Sequence, residues 1–167
     1  MMNISKVSVV QWAAVAGSLL FLAGCGDGGH GAGGGSAGGS GGGGHHHGSA
    51  HGGAAVELGE HQYQLDIAND PATGVLKAWV MDGHMDGFVR VPLKSFQIEV
   101  VAGTAMQTVT MNAQANTATG ETVGDTSQFE GQAPWLKGLT NFSGSVPEID
   151  VRGTVYRKVK FQYPDRE

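Results

Sequence analysis

From Gly26 to Gly53 the chain carries almost nothing but Gly, Ser, Ala and His. Such a stretch has too little apolar surface to offset the entropy of ordering its backbone. Folding is therefore confined to Ala54 through Glu167, roughly 110 residues and room for one domain with a single core. Nearly all the excess among the 29 glycines lies in the Gly26–Gly53 stretch, so the composition describes a tether and not the fold. A Gly-rich coil of this length has an r.m.s. span of about 30 Å.

Ahead of the tether, Met1 to Lys6 is weakly positive, and Val7 to Leu22 is an apolar run softened by Ser8, Gln11 and Ser18. The run is short for a membrane span and has the flanks of a signal peptide, with an uncleaved N-terminal anchor as the alternative. It closes on Leu22-Ala23-Gly24-Cys25, which resembles the lipobox of bacterial lipoproteins. That resemblance implies three segments: residues 1–24 as a cleaved lipoprotein signal, residues 25–53 as a lipidated Cys25 with its tether, and residues 54–167 as the domain. It also implies diacylglyceryl transfer to Cys25 and a further acyl chain, such as palmitate, on the new amino terminus. Two or more chains hold a protein stably on a bilayer where one does not. The residue after the cysteine is Gly26, not the Asp associated with inner-membrane retention. The expected location is therefore the outer membrane, facing the periplasm or the cell surface.

Cys25 is the one cysteine, so the domain has no disulfide, no thiol nucleophile and no thiolate-bound zinc or iron–sulfur centre. The formal net charge is −5, and the basic residues are interleaved with acidic ones. A nucleic-acid surface needs clustered Lys and Arg, and none is present.

From Val56 onward the pattern takes period two. Tyr63, Leu65 and Ile67 alternate with Gln62, Gln64 and Asp66, the mark of a half-buried strand. Asn69 to Gly74 has turn chemistry, and Val75 to Met81 returns with Leu76, Ala78 and Val80 on one face and Trp79 and Met81 on the other. Apolar residues on both sides predict a central strand or a covered outer face. Further strands are expected at Ser95–Val100, Met106–Ala113, Ser127–Gly131, Ser145–Val151 and Thr154–Tyr163. In the last of these, Val155, Val159, Phe161 and Tyr163 share one face, and Tyr156, Lys158, Lys160 and Gln162 the other. Asn116–Thr126 reads as a loop, and Pro134 to Leu139 as one helical turn with Trp135 and Leu139 toward the core. About seven short strands without a long helix predict an all-β fold, an antiparallel β-sandwich. Its layout resembles that of the small immunoglobulin-like modules of exported bacterial proteins.

Two places invite metal chemistry. The tether holds His30, His45, His46, His47 and His51, which read either as a loose collector of Cu, Zn or Ni or as a solvated spacer. Within the domain, Met81-Asp82-Gly83-His84-Met85-Asp86-Gly87 overlaps the start of an EF-hand loop. It has His84 at the third ligand position and Leu93 where the bidentate Glu belongs, so a calcium loop is not expected. Met81, His84 and Met85 instead suit Cu(I), with Asp82 and Asp86 nearby and His61 or His51 completing the set if the fold brings them close. The run from His51-Gly52-Gly53 to Ile67 is similar to the start of some periplasmic metal-efflux accessory proteins. The competing reading is a tight connection whose Asp residues cap turns, whose glycines permit the bend, and whose Met residues pack on Trp79.

Catalytic arrangements are missing from the sequence. No Gly-x-Ser-x-Gly elbow, phosphate loop or His-Glu-x-x-His helix occurs, and Glu148 and Asp150 read as a solvated strand face. Two functional classes remain for a non-enzymatic envelope lipoprotein. One is metal handling through the residues just named. The other is a scaffold that engages an envelope protein through exposed aromatics, for which Tyr156, Trp79 and Phe88 are the candidates.

Overall fold

The structure is a computed structural model that describes residues 48–165; the signal segment, Cys25, and His30, His45, His46 and His47 lie outside the described residues. Among the described residues eight strands form in chain order: β1 (Ala54–Leu58), β2 (Tyr63–Asp70), β3 (Val75–Asp82), β4 (Ser95–Ala102), β5 (Ala105–Ala113), β6 (Gln128–Gln132), β7 (Phe142–Val151) and β8 (Thr154–Tyr163). All pairings are antiparallel, and they join into one sheet of order β1-β2-β3-β6-β5-β4-β7-β8. The all-β, antiparallel expectation holds. The seven strands in two sheets of an immunoglobulin-like sandwich are replaced by eight in a single, nearly closed sheet.

The additional strand is β1. Its sequence, Ala54-Ala55-Val56-Glu57-Leu58, is short and rich in alanine, which gives little strand propensity at the end of a glycine tract. What orders it is burial: Ala54, Val56 and Leu58 are 0–2% exposed and face the core.

The sheet curls around one core. Leu65 and Ile67 of β2, Leu76, Ala78 and Val80 of β3, Ile98 and Val100 of β4, and Phe129 of β6 are all wholly buried within it. Phe96 meets Phe129 edge-on with centroids 5.1 Å apart, and Phe142 stacks on Tyr163 at 4.5 Å. Such pairs add specificity to the burial that drives folding. The Asn69–Gly74 turn forms as expected. The backbone N–H of Gly74 donates to the Asp70 carbonyl at 2.8 Å, and Gly74 takes the positive φ of 72° that its lack of a Cβ permits. The helical turn is Pro134–Leu136, and it buries Leu136 fully, with Trp135 and Leu139 packed at the core's margin.

β1 and β8 end the strand order without laddering to each other. Side chains and the C-terminal segment close the gap. The Asp165 N–H donates to the Gly53 carbonyl at 3.0 Å, the Ala55 N–H donates to Asp165 Oδ2 at 2.5 Å, and the Asn69 N–H donates to the Tyr163 hydroxyl at 2.9 Å.

The expected faces of the last strand need correction. Val155 is 39% exposed while Tyr156 lies in the core. Beyond Lys158 the inward residues are Val159, Phe161 and Tyr163, as expected. On the partner strand Phe142, Gly144 and Val146 point in, and then Ile149 and Val151. Both strands therefore exchange faces at one place, where Lys158 has a φ of 54° opposite Pro147. A left-handed residue breaks the pleat, and a proline offers no N–H to the ladder there.

Candidate functional site

The Asp82–Gly87 connection is built around the Asp82 carboxylate. Its Oδ1 accepts from the backbone N–H groups of His84 at 3.2 Å and Asp86 at 3.0 Å, while the Asp82 carbonyl accepts from Met85 at 3.1 Å. Asp82 thus serves the turn's own amides, as Asp does where it closes a local loop. Met85 takes a φ of 62° within this turn. Met81 is 4% exposed on the outer face of β3, opposite Gln64 and bridged to Phe88.

His61 lies beside this loop. The β1–β2 turn presses so closely that a Cβ on Gly83 would overlap the His61 carbonyl, which is why glycine sits there. The His61 ring turns toward Glu57, with Nδ1 3.6 Å from Oε1. Among the described residues, no three His, Cys, Asp or Glu side chains gather as metal ligands.

A different cluster forms on the outer face of β2 and β3. Asp66, expected on a solvated face, is 0% exposed, and Gln64 beside it is 4% exposed. Gln64 donates to the Gly83 carbonyl at 2.9 Å, and residues Ser49 and His51, which read as tether, engage Asp66. Ser49 Oγ donates to Asp66 Oδ1 at 2.5 Å and also accepts from the backbone N–H of Gly53 at 2.8 Å. His51 Nδ1 lies 2.5 Å from Asp66 Oδ2, and the imidazole stacks on Trp79 with centroids 3.7 Å apart and planes 7° from parallel.

The Asp66 carboxylate accepts at both oxygens, from the Ser49 hydroxyl at Oδ1 and from the His51 Nδ1–H at Oδ2. The His51 side chain is 34% exposed, against 0% for Asp66. The imidazole is thus oriented by a buried carboxylate below and a flat indole beside it. Ser49 does not complete a nucleophilic relay, because its hydroxyl is committed to the carboxylate.

A second polar cluster supports the Asn116–Thr126 loop. Glu121, 6% exposed, accepts from the Ser127 N–H at 2.8 Å, the Ser127 hydroxyl at 2.6 Å and the Thr119 hydroxyl at 2.6 Å. Burial works to raise its pKa, but the Ser127 and Thr119 hydrogen bonds and the Arg90 guanidinium outweigh it, holding the carboxyl below the ordinary glutamate value. Arg90 also pairs with Asp125 at 3.4 Å and donates to the Thr119 carbonyl.

The remaining candidates are dispersed. Tyr156 is 8% exposed and inside the core, so its ring is not offered to a partner. Trp79 is half-buried beneath His51. Phe88 is exposed at 58%. Glu148 pairs with Arg157 at 2.8 Å on the exposed β7–β8 face, and Asp150 accepts from the Gly153 N–H in the hairpin turn.

No local pattern in the sequence pairs Asp66 with His51. The available signal was an aspartate in a strand whose neighbour β3 is apolar on both faces, which implies a covered outer surface. Comparison with known protein families, with curated proteins and with solved structures gives no match.

Proposed function

We propose that this chain is a non-enzymatic lipoprotein of the bacterial cell envelope, displaying a small β-domain on a tether fixed to the bilayer through Cys25 and acting by binding. The observation that carries this reading is the order of parts. An apolar run ends in Leu22-Ala23-Gly24-Cys25, a Gly-rich stretch comes next, and the first strand of the domain begins only where that stretch ends. Among the described residues no helix is long and apolar enough to cross a membrane, which is compatible with attachment through the N-terminal cysteine. The tether's reach of about 30 Å lets the domain act in the periplasm or at the cell surface next to its membrane.

A role as a protein-interaction scaffold would draw on Tyr156 and Trp79. Tyr156 is spent on the core and Trp79 on His51, which leaves Phe88, 58% exposed, as the aromatic such a role would use.

The test is the mass of the N-terminal peptide from the protein purified out of bacterial membranes. A diacylated or triacylated Cys25 with residues 1–24 removed is expected, and Cys25→Ala should leave the chain unprocessed. An unmodified Cys25 on a chain that retains its first residues would overturn the reading.

A further inference from the structure

We infer that the end of the β4–β5 hairpin, Val101 to Met106, is a bilayer-contacting tip that seats the domain on the membrane to which the chain is attached. This rests on the reading of Cys25 as the attachment, and adds a second, weaker contact made by the domain itself.

The first observation is how the outer face of the hairpin changes along its length. Ser95, Gln97 and Glu99 of β4 lie opposite Asn112, Thr110 and Thr108 of β5, polar pairs suited to a face in water. The last pair on that face is Val101 with Met106, which are 40% and 67% exposed. The turn between them, Ala102-Gly103-Thr104-Ala105, brings no charge, and from Val100 to Gly120 the chain has no Asp, Glu, Lys, Arg or His. Val100 and Val109 already serve the core, so the outer pair is not needed there. Apolar surface held in water at a hairpin end gains by entering the interfacial layer of a bilayer. At that depth water and headgroups still reach the turn's amides, so no bare backbone group is carried into hydrocarbon.

The second observation is where the chain enters the domain. β4 and β8 each pair antiparallel with β7, so Ala102 and Tyr163 emerge at the same end of the curled sheet. The hydrogen bond from the Asp165 N–H to the Gly53 carbonyl brings the incoming segment to that end as well. A groove lined by Val101, Gly103, Tyr163 and Pro164 meets, at Pro164, a second groove lined by Gly48, Gly53 and Asp165. A domain held from Gly48 therefore keeps the hairpin tip beside its point of attachment, within the tether's reach of about 30 Å. The other exposed apolar side chains, Phe88, Val123 and Val155, stand among charges: Asp86 and Arg90 flank Phe88, Asp125 follows Val123, and Arg152 and Arg157 flank Val155. Val123 also lies in the loop that follows the far end of β5.

With no charge on the tip, vesicles of zwitterionic phosphatidylcholine are the probe. The chain from Cys25 onward, which holds the whole described domain, is coupled through the Cys25 thiol to a maleimide-bearing lipid in the vesicles. Attachment then does not depend on acylation in the cell. Met106→Trp puts an indole on the tip, and lipids brominated beside the headgroup should quench the emission it adds. Val123→Trp, the control, should lose none. The same chain carrying a single myristoyl-length group on Cys25 binds only marginally, so the tip's share is visible in its partitioning. Met106→Asp, at a position outside the core, should weaken that partitioning at least about fivefold, and Val123→Asp should leave it unchanged.

Equal quenching in Met106→Trp and Val123→Trp, or partitioning unchanged by Met106→Asp, would overturn the inference. A blue shift of Met106→Trp that grows with protein concentration in the absence of vesicles would assign the tip to a second copy and overturn it equally. None of these outcomes bears on the acylation of Cys25, which the mass of the N-terminal peptide decides by itself.

Discussion

Tyr156 donates its hydroxyl to Gln62 Oε1 at 2.7 Å, across the gap where β8 and β1 meet without a ladder. Its ring also meets Tyr63 edge-on at 6.5 Å. The sheet is closed here by one phenol where backbone pairing is missing.

Removing that hydroxyl should loosen the seam. Tyr156→Phe keeps the ring in the core and is expected to cost about 1 kcal/mol, the net worth of one hydrogen bond. Burial, with the neighbouring Tyr63 adding to it, raises the phenol's pKa above its ordinary value. A folded-state pKa above the unfolded one means that this contribution is complete below the ordinary phenol range and is lost as pH rises through the raised value. Urea unfolding between neutral pH and pH about 11.5 should show a decline that is shallower in Tyr156→Phe. Identical slopes in the two proteins would refute this.

Glu121 has the opposite sign. Its carboxyl is held below the ordinary value, so its contribution is present above the unfolded pKa, about 4.3, and disappears as pH falls through the lower folded one. Glu121→Gln should flatten the acid limb of the stability profile between about pH 6 and about pH 2.5. Glu121→Ala strands the Ser127 donors and should cost about 1–3 kcal/mol at neutral pH. Faster amide exchange at Ser127 would locate the damage.

Gly144 lies under the Phe161 ring, where an added methyl would overlap Cζ and both Cε atoms. The ring fills the space over the glycine on the inward face of the β7–β8 pair. Gly144→Ala should therefore destabilise by about 1–3 kcal/mol, the range for an overpacked core. Combining it with Phe161→Leu should recover part of that loss. Strict additivity of the two changes would show that they do not compete for one space.

Lys158 holds a φ of 54° in mid-strand. A left-handed conformation costs a non-glycine residue roughly 1–2 kcal/mol, and glycine in its place costs roughly 0.5–1 kcal/mol in chain entropy. Lys158→Gly is thus expected to be neutral to about 1 kcal/mol stabilising, whereas Lys158→Val should be clearly destabilising. If valine were tolerated as well as glycine, the exchange of faces between Tyr156 and Val159 would need another cause.

Much of the domain was legible without coordinates because strand alternation is a local property. Phe96, Ile98 and Val100 turn inward as their spacing predicts, and Trp79 lies on a covered face, as a strand apolar on both sides requires. The Asn69–Gly74 turn declares itself by residue type. β1 escaped notice since its alanines are ordered by what covers them. The Tyr156 face escaped because one backbone angle at Lys158 resets the alternation, and nothing in a lysine announces a positive φ.

By its sequence alone this protein is divided into an apolar N-terminal run that ends at Cys25, a glycine-rich stretch and one antiparallel β-domain without a cysteine. Those divisions come from composition and period, which act over a few residues. Tertiary structure alone decided that eight strands share one sheet, and that Ser49 and His51 leave the tether's composition to lie on the domain. It also decided that Asp66, outward-facing by its alternation, is buried beneath them. A carboxylate that far from water must find donors, and the donors come from 15 and 17 residues away in the chain, beyond the reach of any local pattern.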